Sequence, residues 1–153
     1  SEVLGRSFLF QVEISGSSRR LATVLLDTPP NLSSTTLNAI QASELIIIPI
    51  DSGAYSLDGI SPLLDAVDEI KDDEVNYCIL RNEIDSRNTL INSYIENELE
   101  VVRDNVLKTV IRRSEHLSQA NALSMPIRFY KKGSIINNDY NSLAKEIILM
   151  CNT

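Results

Sequence analysis

The chain has 153 residues, of which 43% are hydrophobic and 23% charged, a length and composition ordinary for one globular domain with a sizeable core. Its net charge of -7 argues against a protein that coats nucleic acid generally, and no apolar run approaches the roughly 20 residues that span a bilayer, so no membrane association is expected. The two cysteines lack CxxC or metal-ligand spacing, which predicts free thiols in a reducing cytosol.

The first part of the chain alternates short apolar runs with a helical pattern. Residues 7–14 alternate weakly, as in a strand, and residues 22–26 form a continuous apolar run that predicts a strand buried on both faces. Residues 31–43 carry apolar side chains at near-helical spacing. Residues 44–50 predict a second buried strand, with Pro49 at its end, where no ladder donor is needed.

The alternation continues to the end of the chain. The predicted elements are, in order, a helix over 56–73, a strand over 75–82, a helix over 87–102, a strand over 105–111, a helix over 115–124, an extended piece over 125–130 and a closing helix over 137–151. Strand and helix follow one another at the spacing of βαβ units. This predicts an α/β fold with a mostly parallel sheet flanked by helices, in a single domain over residues 1–153.

The closing helix has two predicted features that depend on where it begins. Its cap is expected at Asn137, Asn138 or Asp139, because these residue types favour the position before a first helical turn. The side chains expected to face inward are Tyr140, Leu143, Ile147 and Ile148.

A carboxylate follows the apolar run at 22–26. Asp27 stands where ligands bind in a parallel sheet, at the carboxyl end of a strand, and Mg²⁺, held directly or through a water, is the partner that phosphate chemistry supplies there. Pro29 and Pro30 fix the direction of the chain just beyond. The alternative is an aspartate that caps the following turn through its side chain. From the strand and its terminal carboxylate alone, the two interpretations are even.

One segment of this acidic chain is basic. Between residues 108 and 132 a single acid, Glu115, is outnumbered by Lys108, Arg112, Arg113, Arg128, Lys131 and Lys132. Such a segment can offer a basic face to a polyanion. The alternative is a solvated surface with some salt bridges, and charge alone favours it.

Other chemistries are less well supported by the residue pattern. The one histidine, His116, lies beside Glu115 on a short polar helix and is more typical of a surface residue than of a hydrolase. The acids of residues 64–74 have the spacing of a solvated helix face followed by a loop, rather than that of a metal site.

The string VLLDTPPNLSSTTLNAI at residues 24–40 resembles the Walker B segment of the ParA/MinD/Soj family of deviant-Walker ATPases, the partition proteins of plasmids and chromosomes. The resemblance covers about residues 21–149 and continues in family order through residues 44–67, 79–99, 106–130 and 139–147. In 79–99 it includes an Asp-x-Arg turn. It implies a P-loop NTPase fold of the ParA type.

The resemblance also implies roles for single residues in nucleotide binding. Asp27 matches the Walker B aspartate that supports Mg²⁺ and the attacking water. Asn82 stands where members often direct a side chain toward the base of ATP, and Pro126 lies in the loop that passes the adenine.

A second set of implied roles concerns DNA. Arg113 matches an arginine that belongs to the non-specific DNA-binding surface of the dimer in Soj-like members, and Arg112, Lys131 and Lys132 would extend that surface. Arginine contacts to phosphate set affinity and salt dependence without reading sequence.

The sequence departs from the family pattern in several places. No G-x-x-x-x-G-K-[ST] or KGG-like phosphate loop occurs in it, so it resembles the C-terminal two-thirds of such an ATPase, incomplete at the N-terminus, and is not expected to bind ATP tightly by itself. Arg112 replaces the usual proline, Ser124 stands where glycine is common, and a second family arginine falls on Gly133.

The implied function is that of a ParA-like ATPase in plasmid or chromosome partitioning, in the bacterial cytoplasm at the nucleoid. ATP and Mg²⁺ would join two subunits into a homodimer that binds DNA non-specifically, and a ParB-like activator would stimulate hydrolysis and release it. The alternatives are a non-enzymatic ParA-like interaction module and a MinD-like membrane-associated positioning ATPase.

Overall fold

The computed structural model describes residues 8–12, 24–29, 31–53, 60–70 and 76–151, the first of these ranges by its backbone alone. The chain divides into two compact units, residues 1–79 and 80–153, and each is described by itself. The sequence prediction of a single domain over 1–153 remains a prediction.

The first unit combines strands and helices in the predicted alternation. Its elements are β1 (Phe8–Val12), β2 (Val24–Thr28), α1 (Ser34–Ala42), β3 (Leu45–Ile50), α2 (Ile60–Ile70) and the beginning of β4 (Asn76–Ile84). The predicted ends of the helix at 56–73 lie outside the described residues. Where α2 is described, its buried side chains recur at intervals of three and four, namely Ile60, Leu63 and Val67.

The sheet of the first unit contains one antiparallel strand between two that run alike. β1 pairs antiparallel with β2 and with β3, so that Leu9 lies opposite both Asp27 and Ile47. β2 and β3 therefore run in the same direction, as strands joined by a helical crossover do. With β4 next to β3, the α/β class and the parallel arrangement of β2, β3 and β4 are confirmed, and β1 is the exception.

β2 corrects the prediction of a strand buried on both faces over residues 22–26. The strand continues through Asp27 to Thr28, and Leu25 is 59% exposed. Its place in the sheet explains this, because β2 is the outermost strand and β1 is its hydrogen-bonded neighbour among the described strands. A short apolar run indicates a strand but does not say whether it is central or at the edge.

β3 shows the pattern that was expected of β2. All of its residues are buried except Pro49, which is half-buried and lies one position before the end, as predicted. Helix α1, which packs against β1, β2 and α2, buries Thr36, Ala39 and Ile40. Its apolar spacing pointed to a different face, since Ala42 is exposed and Leu37 only half-buried.

The second unit begins inside β4 and ends with the longest helix. Its further elements are α3 (Thr89–Leu99), a 3₁₀ helix (Glu100–Asn105), β5 (Val106–Arg112), α4 (Glu115–Ala122), α5 (Ile127–Tyr130) and α6 (Ile135–Cys151). The N–H of Arg113 donates to the carbonyl of Ile84 over 3.0 Å. Ile84 is the last residue of β4, and Arg113 directly follows the last residue of β5. The carboxyl ends of β4 and β5 therefore lie together, and these strands are parallel.

The extended piece predicted over residues 125–130 is wrong. Residues Ile127–Tyr130 form the short helix α5, in which the carbonyl of Pro126 accepts hydrogen bonds from the N–H groups of Phe129 (2.9 Å) and Tyr130 (3.1 Å). Proline suits the start of a helix, where its missing N–H is not needed. The guanidinium of Arg128 lies 4.7 Å from the ring centre of Phe129.

The cap predicted for the closing helix is also wrong, since α6 begins at Ile135. The hydroxyl oxygen of Ser134 accepts a hydrogen bond from the N–H of Asn137 over 3.3 Å, so Ser134 takes the capping role. Asn137 and Asp139 are consequently buried inside the helix, and Asn138 is exposed within it.

The earlier start of α6 also changes which side chains face inward. Ile147 is buried and Leu143 half-buried as predicted, but Tyr140 is 38% and Ile148 54% exposed. No helix within the described ranges, α6 included, is long and apolar enough to cross a membrane.

Ser124 ends α4 in a conformation that favours glycine. Its φ is 51°, and the N–H of Met125 donates to the carbonyl of Ala120 over 2.9 Å, the hydrogen bond that closes a Schellman turn. We expect Ser124→Gly to raise the free energy of unfolding by about 0.5–1 kcal/mol, because glycine adopts this φ without a steric cost. Urea denaturation would measure the change.

The matched control is Ser118→Gly, in the exposed interior of the same helix. There glycine is expected to lower stability by about 0.5–1 kcal/mol, since the backbone is already helical. Equal losses for the two variants would contradict the prediction for Ser124.

Candidate functional site

Asp27 lies in the first unit, as the last residue but one of β2. Its side chain is exposed, whereas that of the next residue, Thr28, is only 4% exposed. The described residues contain no group of three or more His, Cys, Asp or Glu side chains that could hold a metal ion. Mg²⁺ needs only one or two carboxylates when phosphate oxygens supply further ligands. Asp27 therefore fits a magnesium ion that arrives with a phosphate group.

The two residues predicted to lie near the base of ATP belong to the second unit. Asn82 is half-buried in β4, one residue before Glu83, whose φ of 53° interrupts the regular strand. Pro126 is exposed at the start of α5. Since Asp27 belongs to the first unit, a common role of these three residues stays a prediction.

The second unit contains a cleft beyond the carboxyl ends of β4 and β5. Its volume is about 940 Å³, and three of the predicted DNA-binding residues line it, namely Arg112, Arg113 and Lys131. The first residues of α4 and of α6 line it as well, together with Asp85, Arg87 and His116. N–H groups at the start of a helix carry partial positive charge, so the two helix starts favour an anion in this cleft together with Arg113 and Lys131, while Glu115, which also lines it, opposes one.

Arg113 and Lys131 present their charge to this cleft. Both side chains are exposed, and neither takes part in an ion pair within the described part of the chain. Their backbones are fixed, because the N–H of Lys131 donates to the carbonyl of Ile127 over 2.8 Å and that of Arg113 to Ile84. Lys132 is exposed but does not line the cleft, and its carbonyl accepts a hydrogen bond from the amide of Asn137 over 2.7 Å.

Arg112 is bound to an acid of its own chain. Its Nε donates to Oδ2 of Asp139 over 3.0 Å, its Nη2 to Oδ1, and its backbone N–H to Oδ2 over 3.2 Å. The side chain of Arg112 is 49% exposed and that of Asp139 only 8%. Burial raises the pKa of Asp139, but the hydrogen bonds from Arg112 outweigh it and leave the pKa below its ordinary value. The charge of Arg112 is thus already matched.

A second acid–base pair borders the cleft at the Asp-x-Arg turn. Oδ1 of Asp85 accepts hydrogen bonds from Nε of Arg87 (2.9 Å) and from its backbone N–H (3.0 Å). The side-chain bond from Arg87, followed by the backbone bond, holds the pKa of Asp85 well below its usual range. Within this turn Arg87 forms an ion pair with Asp85, so Arg87 adds little net positive charge to the cleft.

Sequence reasoning missed the carboxylates of α6. Oε1 of Glu146 accepts from the N–H of Lys108 over 2.7 Å, and Oε2 accepts from that of Thr109 over 2.9 Å. Together with Asp139, this glutamate binds backbone N–H groups of β5 that another strand would otherwise use. The seven-residue spacing of the two acids, which puts them on one helix face, was the available signal.

Comparison with known proteins agrees with this fold. A family model described as an AAA domain matches residues 4–84. The sporulation initiation inhibitor protein Soj of Bacillus subtilis is 35% identical over 128 residues, which are 81% of this chain and 51% of that protein. The chromosome-partitioning ATPase Soj of Thermus thermophilus is 32% identical over 130 residues, 82% of this chain and 52% of that protein.

A third relative, the chromosome partitioning protein ParA of Myxococcus xanthus, is 28% identical over 129 residues, 82% of this chain and 46% of that protein. The chain spans about half the length of the curated relatives it matches. Because the family model matches more than half of the chain and these relatives match along most of it, the chain belongs to this AAA domain family and is related to the ParA and Soj proteins.

Proposed function

We propose that the whole protein is a partition ATPase of the ParA type, which acts in the bacterial cytoplasm and binds DNA without sequence preference. The relatives described as chromosome-partitioning proteins support this assignment. The observation that carries it is the cleft in the second unit, where Arg113 and Lys131 stand beside the first turns of two helices. This arrangement suits phosphate groups and contains nothing that requires a particular base.

The nucleotide part of the proposal concerns ATP and Mg²⁺. Asp27 would hold Mg²⁺, directly or through a water, and the ion would neutralise negative charge on the phosphates during hydrolysis. Asn82 and Pro126 would lie toward the base. In this proposal ATP joins two copies of the chain into a homodimer, and a ParB-like activator stimulates hydrolysis and ends the DNA-bound state.

The DNA part assigns the contacts to exposed cations of the second unit. Arg113 and Lys131 line the cleft, and Lys132 follows directly in the chain. Arg112 was predicted as a fourth member of this surface. An acidic chain binds a polyanion by such a local concentration of positive charge, so the affinity is expected to fall steeply with salt.

We expect Arg113→Gln in the whole protein to weaken ATP-dependent DNA binding by about tenfold, since a charge-assisted hydrogen bond to phosphate is lost. Fluorescence anisotropy with a short duplex of random sequence would measure it. Lys145→Gln is the matched control, because Lys145 is an exposed cation of α6 that does not line the cleft. Equal losses in the two variants, or no DNA binding by the wild type, would overturn the assignment.

A second candidate is a ParA-like interaction module without enzymatic activity. ATP hydrolysis by the whole protein separates the two candidates. The MinD-like alternative predicts that the protein pellets with anionic liposomes in the presence of ATP.

A further inference from the structure

The two consecutive arginines at the end of β5 are held in opposite directions. The backbone N–H of Arg113 donates toward β4, to Ile84, whereas that of Arg112 donates toward α6, to Asp139. Side chains of successive strand residues also alternate between faces. Both arginines line the 940 Å³ cleft. Arg112, unlike Arg113, also lines a second cleft of about 690 Å³, to which Asp139 contributes as well.

A phosphate group that binds the Nε–Nη2 edge of Arg112, the edge suited to two parallel hydrogen bonds, would have to compete with Asp139. The carboxylate already offers the guanidinium two parallel hydrogen bonds, the geometry in which arginine also binds phosphate. If the side chain of Arg112 turned to DNA, the nearly buried carboxylate of Asp139 would lose its charged partner and keep only the backbone N–H of Arg112. Leaving such a charge without a counter-charge is strongly unfavourable, so exchanging Asp139 for a phosphate as the partner of Arg112 adds little to the affinity for DNA.

We propose that Asp139 withholds Arg112 from DNA, so that Arg113, and not Arg112, supplies the phosphate contact of this arginine pair. The inference rests on the DNA binding proposed above and specifies how many cations take part in it. It makes Asp139 a determinant of DNA affinity that touches no phosphate itself.

The test is the salt dependence of DNA binding by the whole protein with ATP, measured between about 50 and about 200 mM salt. Arg113→Gln is expected to reduce the slope of log affinity against log salt by about 0.9 for each copy that contacts the duplex. Arg112→Gln is expected to change it by less than half as much. A slope reduced equally by the two substitutions overturns the inference and leaves the proposed function intact.

Two further variants test the role of Asp139 directly. Asp139→Asn is expected to steepen the slope by about 0.9 per contacting copy, because the freed Arg112 gains a phosphate. In the double variant Arg112→Gln/Asp139→Asn the slope is expected to return to that of the wild type. A slope that stays steep in the double variant shows a generally loosened surface and overturns the inference.

The same experiment keeps the two proposals apart. A wild type that does not bind DNA overturns the proposed function and this inference with it. Circular dichroism and urea denaturation identify variants that fail to fold. If the Asp139 variants do, the comparison of Arg112→Gln with Arg113→Gln still shows which arginine contacts phosphate, because it leaves Asp139 unchanged.

Discussion

Replacing Asp27 with asparagine in the whole protein is expected to lower the rate constant of ATP hydrolysis by about 100-fold or more. Asparagine keeps the size of the side chain but loses the negative charge that would hold Mg²⁺, and a metal contributes several kcal/mol to stabilising the charge of the transition state. Phosphate release from ATP, measured with the DNA and the activator present, would test this.

Glu44 supplies the matched control for Asp27. It is an exposed carboxylate of the same unit that precedes β3, at the amino end of a strand, where ligands of parallel sheets do not bind. Glu44→Gln is therefore expected to retain the activity of the wild type. If Asp27→Asn hydrolyses ATP within a factor of about two of the wild type, the assignment of Asp27 to Mg²⁺ is wrong.

Replacing Glu146 with alanine is expected to lower the free energy of unfolding by about 2–3 kcal/mol. Its two oxygens accept hydrogen bonds from the N–H groups of Lys108 and Thr109, and hydrogen bonds to charged groups contribute more than neutral ones. Only the N–H of Lys108 lies in an exposed position where water can replace the carboxylate. Urea denaturation would measure the loss, with Lys145→Ala as the control on the neighbouring, exposed position.

The loss should depend on pH in a defined direction. Burial raises the pKa of Glu146, but the hydrogen bonds from Thr109 and Lys108 outweigh it, so the pKa in the folded protein is below its ordinary value. The stabilisation is therefore fully present above the pKa of the unfolded chain and is lost as the pH falls through the folded pKa. The wild type and Glu146→Ala should converge in stability under acid conditions, and a difference that is constant down to low pH would contradict the role of the carboxylate.

The sequence predicted those elements whose signal is local and strong. β3 is a run of apolar residues in an inner strand, and α2 has its buried side chains at intervals of three and four, so both were found where they lie. The resemblance in motif order identified the family, which the comparisons confirm. Residue roles stay predictions because they depend on ligands as well as on the fold.

The sequence-based predictions were wrong where contacts between distant parts of the chain determine the structure. Leu25 is exposed because β2 lies at the edge of the sheet that the described strands form, and the apolar run around it does not reveal this position. Ser134 begins α6 earlier than the asparagines suggested, and this earlier turn brings Asp139 inside the helix, within reach of Arg112. Arg112 and Asp139 are separated in the chain by two helices, α4 and α5, and no local pattern in the sequence indicates that they are partners.

The middle position of β1 has a consequence for the order in which the chain can fold. β2 reaches β3 only through β1, so the backbone hydrogen bonds that fix Asp27 depend on a segment that must also pair with residues 45–47. The pairing of β1 with residues 45–47 closes a large loop, which costs chain entropy before the new contacts stabilise it, and such steps are slow. The residue proposed to hold Mg²⁺ therefore takes its place relative to β3 only when both pairings of β1 have formed, and any change that weakens β1 acts on Asp27 without touching it.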